Sequence, residues 1–247
     1  RDSYGRFPGT VEARTRELVV NGKSIRVFAE RDPGLIPWSE VNAEIVIEST
    51  GRFTNADRAG GHIRDTVKKV IISAPARGED LTMVLGVNED RYDPKIHHII
   101  SNASCTTNCV GPLAKVLHNN FTIQKALMST VHSYTNDQQI LDQAHVDIRR
   151  TRAAAMNIIP TTTGAARAVG AVMPELDGHI HGMAFRVPTS TVSLIDLVAV
   201  LERKATVAEV NEAFKEASLH GLHGILEYCE EELVSVDFKG NPHSCIF

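Results

Sequence analysis

Two hydrophobic periods run along the chain, and the switches between them mark its elements. Leu18-Val-Val20 and Ser24-Ile-Arg-Val-Phe28 flank Asn21-Gly22, a strong β-hairpin signal. Short apolar runs follow at 43–47, 67–72, 83–87 and 96–100, and 43–47 reads as a central strand. Between them, 55–67 opens on N-cap residue types and reads as a helix loosened by Gly60-Gly61. Strands alternating with helical or loop segments predict a mostly parallel α/β sheet, in which ligands bind past the carboxyl ends of the strands. Val110, Leu113, Val116 and Leu117 then recur at helical spacing, and 125–131 reads as a strand. The segment 165–169 suits a helix and 207–218 an amphipathic one. Residues 183–187 and 192–201 look like long antiparallel strands, with further strands at 225–229 and 234–238. This second half reads as α+β, a sheet with helices on one face. The boundary falls at Ser104/Cys105, which divides the chain into 1–104 and 105–247.

The most chemically loaded stretch is Ser101-Asn-Ala-Ser-Cys-Thr-Thr-Asn-Cys109. It lies between a strand pattern and a helix pattern, so Cys105 sits at a strand-to-helix turn among N-cap residue types. The positive end of the helix favours thiolate over thiol, and the thiolate is the nucleophile. Cys109, one turn deeper, reads as packed. Two blander alternatives are a buried inert cysteine and half of a zinc site, although no second ligand pair stands at the usual spacing. His132 stands at the end of the 125–131 strand, before Ser133-Tyr-Thr-Asn-Asp137. Arg149, Arg150 and Arg152 form a basic cluster, either a solvated face or an anion site. Thr161-Thr-Thr-Gly164 precedes a helix, where hydroxyls and N–H groups make an anion pocket. Ser49-Thr-Gly51 and Ser73-Ala-Pro75 close two strands and, taken alone, are ordinary turn chemistry.

Composition narrows the class. The 247 residues are 43% hydrophobic, enough for two domains. A net charge of −4 argues against nucleic-acid or anionic-membrane partners. No apolar run approaches a membrane span, and the N-terminus has no signal-peptide pattern. The 4 cysteines form no disulfide framework, which points to a reducing cytoplasm.

The cysteine stretch and the histidine turn together resemble phosphorylating glyceraldehyde-3-phosphate dehydrogenase. The likeness extends through Arg6-Phe-Pro-Gly9, Phe28-Ala-Glu-Arg-Asp-Pro33, Ser49-Thr-Gly-Arg-Phe-Thr54, Ser73-Ala-Pro75, Ile158-Ile-Pro-Thr-Thr-Thr-Gly-Ala-Ala166, Arg186-Val-Pro188 and Val234-Ser-Val-Asp-Phe238, essentially the whole chain. The resemblance implies a Rossmann-type parallel sheet domain, incomplete here, followed by an α+β catalytic domain with an antiparallel or mixed sheet. It implies oxidative phosphorylation of D-glyceraldehyde 3-phosphate to 1,3-bisphosphoglycerate, with hydride passing to NAD and NADP left open. Cys105 would be the nucleophile and His132 the base and oxyanion donor. Thr135 and Arg186 would hold the substrate phosphate, and Ser104, Thr106, Thr163 and Gly164 the inorganic one, with Arg150 near the phosphates. Glu30, Arg31, Ser49, Thr50, Gly51, Phe53 and Ser73 would face the cofactor. Members of this family are cytoplasmic homotetramers.

A strand–Gly-x-Gly-x-x-Gly–helix segment, the usual pyrophosphate cradle, is not in the sequence. The family carries it upstream of the matching residues and also closes with a further C-terminal segment. The chain therefore reads as an internal fragment, expected to be poorly active by itself. Asp137-Gln-Gln139 is also typical of erythrose-4-phosphate dehydrogenase, whereas Thr161-Thr-Thr-Gly-Ala-Ala166 and Ser133-Tyr-Thr-Asn136 favour the glyceraldehyde enzyme. A non-catalytic remnant and a Cys-His hydrolase are the readings from other classes.

Overall fold

The computed structural model describes residues 4–247, so the first positions of the 1–104 domain reading lie outside the described residues. The chain forms two compact units. The first comprises Arg1–Met83 and Arg91–Ala103, the second Val84–Asp90 and Ser104–Phe247.

The first unit opens with a three-stranded antiparallel meander, β1 (Val11–Arg14), β2 (Glu17–Val20) and β3 (Lys23–Arg26). The expected hairpin is β2–β3. Asn21 and Gly22 both take positive φ, 49° and 79°, which matches the right-handed twist of the flanking strands. The Asn21 side chain also accepts the Thr10 N–H at 3.0 Å and so fixes β1 beside the hairpin.

A parallel sheet follows, built from β4 (Ile45–Glu48), β5 (Lys69–Ile72), β6 (Leu81–Thr82) and β7 (Ile99–Ser101) in the order β4-β5-β7-β6. This is the Rossmann-like α/β architecture that the sequence predicts. Val46, Val67, Val70 and Ile72 form its core with Ala59, and Trp38, Phe53 and Ile63 pack against them. The 43–47 run forms β4. Among the described residues β4 pairs with β5, and period-2 alternation turns Val46 and Glu48 inward while Ile45 and Ile47 stay 60% and 67% exposed.

Two expectations in this region are corrected. The 55–67 helix shrinks to α1 (Ala56–Ala59) and a 3-10 turn, Gly60–His62. Asn55 caps it by accepting the Asp57 N–H, but the paired glycines lower helix propensity and the chain is extended by Ile63. The 83–87 strand is a turn. Val84 N–H donates to Asn88 Oδ1 at 2.9 Å, Val87 N–H to Val84 O, and Gly86 sits at φ +80°, where a Cβ would strike Leu222. The strand expected at 96–100 forms only at its end, as β7.

The second unit begins with α2 (Cys105–Phe121) and continues into the long β8 (Ile123–Ser133). Then come β9 (Ile159–Thr161), α3 (Ala165–Val172), β10 (Ile180–Val187), β11 (Leu194–Leu201) and α4 (Val207–Leu219). The mixed sheet runs β11-β8-β10-β9. The segments expected as long antiparallel strands form β10 and β11, each with one antiparallel neighbour, β9 and β8 respectively. β8 lies between them, parallel to β10 and antiparallel to β11.

A second core joins α2 to α4. Leu113 and Val116 pack with Phe214, Leu222, Leu226 and Cys245, and the Phe214 ring stacks on Phe247 at 3.8 Å. A Thr206–Glu209 capping box starts α4. The strand expected at 225–229 shortens to β12 (Leu226–Glu227), which pairs in parallel with β13 (Cys245–Ile246). The strand expected at 234–238 is a turn. Asp237 closes it by accepting the Val234 N–H at 2.8 Å, and Val234 and Val236 point to solvent.

Candidate active site

The start of α2 is built by Ser104. Its backbone is extended, φ −101° and ψ 162°, and its Oγ accepts the Thr107 N–H at 3.0 Å. Thr107 Oγ1 lies a further 2.7 Å from the same oxygen. The cap satisfies one of the orphan donors of the helix start and places Cys105 at its first position, exposed, with Thr106 buried behind it.

Cys105 Sγ is 3.4 Å from His132 Nε2. That hydrogen bond is the leading reason why the thiol lies below the ordinary thiol range. Burial opposes it, while the imidazole charge and the Thr106 hydroxyl and N–H add to it. His132 is buried near the end of β8. The parallel pairing of β8 with β10 sets His132 opposite Arg186. Arg186 Nη1 reaches 2.8 Å from His132 Nδ1 and donates to Ser133 O at 3.0 Å.

His132 Nδ1 also lies 2.7 Å from Ser133 O, so the nitrogen faces one acceptor and one permanent donor. With a proton on Nδ1 the ring donates to Ser133 O, and Nε2 can accept the Cys105 proton. With the proton on Nε2 the ring accepts from Arg186 and donates to a Cys105 thiolate. The ring tautomer is thereby tied to the state of the sulfur.

Arg186 is half-buried, and its Nε is buried without a partner among the described residues. Burial, and then the charge of Arg150, lower its pKa, and the Cys105 charge offsets part of this. Such an uncompensated guanidinium is a ready anion partner. Arg150 is the inward member of the basic cluster. It donates to Thr161 Oγ1 at 3.0 Å and pairs with Asp137, whereas Arg149 and Arg152 are exposed beside Asp147 and Asp142. Thr135 is exposed, and its N–H donates to Gln138 Oε1 at 3.3 Å. Thr163 Oγ1 accepts the Ala165 N–H at the start of α3, and Gly164 stands there with open space beside it.

Gln138 is a polar residue that the sequence reading did not single out as part of a site. It is buried, and its Nε2 has no partner among the described residues. Its neighbours in sequence mark a turn, and only the fold shows the amide turned inward.

In the first unit, Ser49, Thr50 and Gly51 follow β4, and Ser73 follows β5. The β4–β5 register sets these turns side by side at the carboxyl edge of the sheet. Glu48 holds the first turn from below, with Oε1 accepting the Thr50 N–H at 2.8 Å and Oε2 lying 3.2 Å from His62 Nε2. Burial alone would push this carboxyl up, but the Thr50 and His62 donors outweigh it and hold it below the usual range. Gly51 has φ +72° and nothing near its Cβ position, so the turn is open to an approaching ligand. Ser49, Thr50 and Ser73 are exposed donors, a set that fits a polar cofactor. Glu30 and Arg31 are exposed in the connection after β3. Phe53 is half-buried and packs on the edge of the core, with the Arg58 guanidinium 4.9 Å from its ring centre. No group of three or more His, Cys, Asp or Glu among the described residues could hold a metal ion.

Comparison with known proteins places this geometry. Residues 104–247 match the family model for the glyceraldehyde 3-phosphate dehydrogenase C-terminal domain, and residues 1–56 match the NAD binding domain of the same family. A glyceraldehyde-3-phosphate dehydrogenase of Geobacillus stearothermophilus is 60% identical over 98% of this chain and 72% of its own length. A Streptomyces coelicolor relative of the same name is 57% identical over 98% of this chain and 73% of its own. Glyceraldehyde-3-phosphate dehydrogenase 1 of Bacillus cereus is 56% identical over 96% and 71%. The capped cysteine beside a strand-end histidine, in a chain matched almost end to end, makes this protein a member of the glyceraldehyde-3-phosphate dehydrogenase family.

Proposed function

We propose that the chain carries the catalytic apparatus for oxidative phosphorylation of D-glyceraldehyde 3-phosphate. The observation that carries this is the line Cys105–His132–Arg186: a nucleophile, its base and an anion partner within hydrogen-bonding reach of one another. Cys105 gives its proton to His132 Nε2 and adds to the aldehyde carbon, forming a hemithioacetal. His132 then hydrogen-bonds the new oxyanion, together with the Cys105 N–H, and returns the proton from Nε2 to it, leaving a hydroxyl and a neutral imidazole. Bound NAD supplies the acceptor for the hydride that leaves this carbon. His132 removes the hydroxyl proton, and a thioester remains on Cys105. An oxygen of inorganic phosphate attacks the thioester carbon and expels the Cys105 thiolate, leaving the acyl phosphate.

Two anions must be held. Arg186, with its unpartnered Nε, and Thr135 suit the phosphate of the substrate. Ser104, Thr106, Thr163 and Gly164, at the starts of α2 and α3, suit inorganic phosphate. Arg150, whose charge already acts on Arg186, adds to the positive field. The turns at Ser49–Gly51 and Ser73 suit NAD, with Glu30, Arg31 and the Phe53 edge on the same unit. A homotetramer accords with the exposed Leu127, Leu194, Val198 and Val200 of the mixed sheet, an apolar face of the kind that marks association surfaces. No helix among the described residues is long and apolar enough to cross a membrane. Free thiols at all the cysteines suit a reducing cytoplasm.

The test is acyl trapping. The chain is incubated with NAD and D-glyceraldehyde 3-phosphate without inorganic phosphate, and its peptides are weighed. The phosphoglyceroyl adduct is expected on Cys105 and should disappear when phosphate is added. D-erythrose 4-phosphate should leave less adduct. An adduct on another cysteine, or equal labelling by both aldehydes, would overturn the reading.

A further inference from the structure

Cys109 and Cys245 are 136 residues apart in sequence, and their sulfurs are in contact at 3.5 Å. Neither takes part in the chemistry above. Cys109 is half-buried on α2, one turn past Cys105, and Cys245 is buried at the start of β13. Both ends of the contact are anchored. Val110 and Leu113 bury the adjoining face of α2. Pairing with β12 and a Cys245 N–H to Ile225 O bond of 3.1 Å hold β13. A disulfide requires the sulfurs to close from this contact to about 2.0 Å.

We propose that Cys109 and Cys245 form a redox-modification site, at which oxidation by a peroxide closes a reversible disulfide that clamps α2 to the β12–β13 strand pair. The Cys109 sulfur attacks one peroxide oxygen and breaks the O–O bond. Cys109 becomes a sulfenic acid, and the other oxygen leaves as water with the thiol proton. The Cys245 sulfur then attacks the Cys109 sulfur. The sulfenic hydroxyl departs and takes the Cys245 proton as a second water. The two thiols lose two electrons and the peroxide gains them. A dithiol reductant reverses the bond by exchange.

The order of the two roles follows from exposure: Cys109 is half-buried and Cys245 buried. The contact with Cys245 holds Cys109 below the ordinary thiol range, against burial and the charge of Cys105. The same contact, with burial, pushes Cys245 far up. The partly exposed, more acidic sulfur meets the oxidant, and the buried one resolves it.

The experiment treats the folded chain with hydrogen peroxide, blocks remaining thiols in denaturant and maps tryptic peptides without reduction. Cys105 and Cys109 share the 96–115 peptide, so the map is repeated in Cys105→Ser, where Cys109 is the only thiol of that peptide. The expected result in both proteins is a 96–115 peptide joined to 240–247, two hydrogens lighter than the separate thiols and released by dithiothreitol. Cys109→Ser and Cys245→Ser should each remove it. Alkylation of both Cys109 and Cys245 after peroxide would overturn the proposal. So would loss of the link in Cys105→Ser, or a bond confined to Cys105 and Cys109.

Discussion

Arg186 Nη1 lies 2.8 Å from His132 Nδ1, on the opposite side of the ring from the nitrogen that faces Cys105. A guanidinium cannot be deprotonated at this position, so it favours the tautomer whose Nε2–H points at sulfur. An anion bound by Arg186 would weaken its hold on Nδ1. The ring could then turn its proton to Ser133 O and accept one at Nε2. Substrate binding and the placement of the ring proton are in this way linked through one imidazole.

Replacing Arg186 by leucine tests that link. A charge-assisted bond to phosphate contributes about 1.5–3 kcal/mol, so KM for the phosphorylated aldehyde should rise on the order of ten- to a hundredfold. A non-phosphorylated aldehyde should keep its KM. Equal losses for both would assign Arg186 to folding rather than to phosphate.

The cysteines should react in a set order. Alkylation of Cys105 should outpace that of Cys109 and Cys229, with the buried Cys245 slowest. Because His132 is the main cause of the lowered Cys105 pKa, His132→Asn should move the midpoint of the alkylation–pH curve upward. Turnover should fall by about 10²–10⁴ with the base removed. The thiolate is worth most to folding above the unfolded thiol pKa, and this contribution is lost as pH falls through the folded value. The stability gap between the native chain and Cys105→Ser should therefore widen with rising pH. An unmoved midpoint in His132→Asn would disconnect the pair.

Local signals were legible where one short segment settles its own geometry. The polar cap at Ser104, the Asn21-Gly22 turn and the strand ending at His132 all formed as expected, because capping, positive φ and period-2 burial act within a few residues. The resemblance named Arg186 as a phosphate holder, but not its contact with His132. That contact depends on pairing between strands 54 residues apart, a register invisible in either strand alone. The segments 83–87 and 234–238 misled for the opposite reason. Their apolar composition suits strands, but the Asn88 and Asp237 side chains close turns over them by accepting backbone N–H groups. Short β13, too small to carry a pattern, is recognisable only through its partner β12.

The core that seats β13 should be sensitive to truncation. Phe214 is almost fully buried and stacks on Phe247, so Phe214→Ala should cost about 3–5 kcal/mol in a denaturant melt. It should also separate Cys109 from Cys245, which faster alkylation of Cys245 would report. Unchanged stability with unchanged alkylation would mean that the α2–α4 contact contributes little to this end of the unit.

Glu48 offers the sharpest test of the first unit. It is buried under the Ser49–Gly51 turn and accepts from Thr50 while facing His62, whose Nδ1 lies 3.3 Å from the Trp38 indole nitrogen. Glu48→Gln keeps the shape and removes the charge, and the added amide hydrogens then face donors. The expected cost is about 1–3 kcal/mol at neutral pH. Because the folded carboxyl lies below its unfolded value, its stabilisation is present above the unfolded pKa and disappears as pH falls through the folded one. The native chain and Glu48→Gln should therefore differ at neutral pH and converge only as pH falls below the ordinary carboxylate range, through the lowered folded value. NAD affinity, measured by calorimetry at neutral pH, should fall along with stability, since the Thr50 donors lose their anchor. Parallel stability curves at both pH values would show that the carboxylate charge does not hold the turn. Lost stability with unchanged NAD affinity would show that the turn does not touch the cofactor.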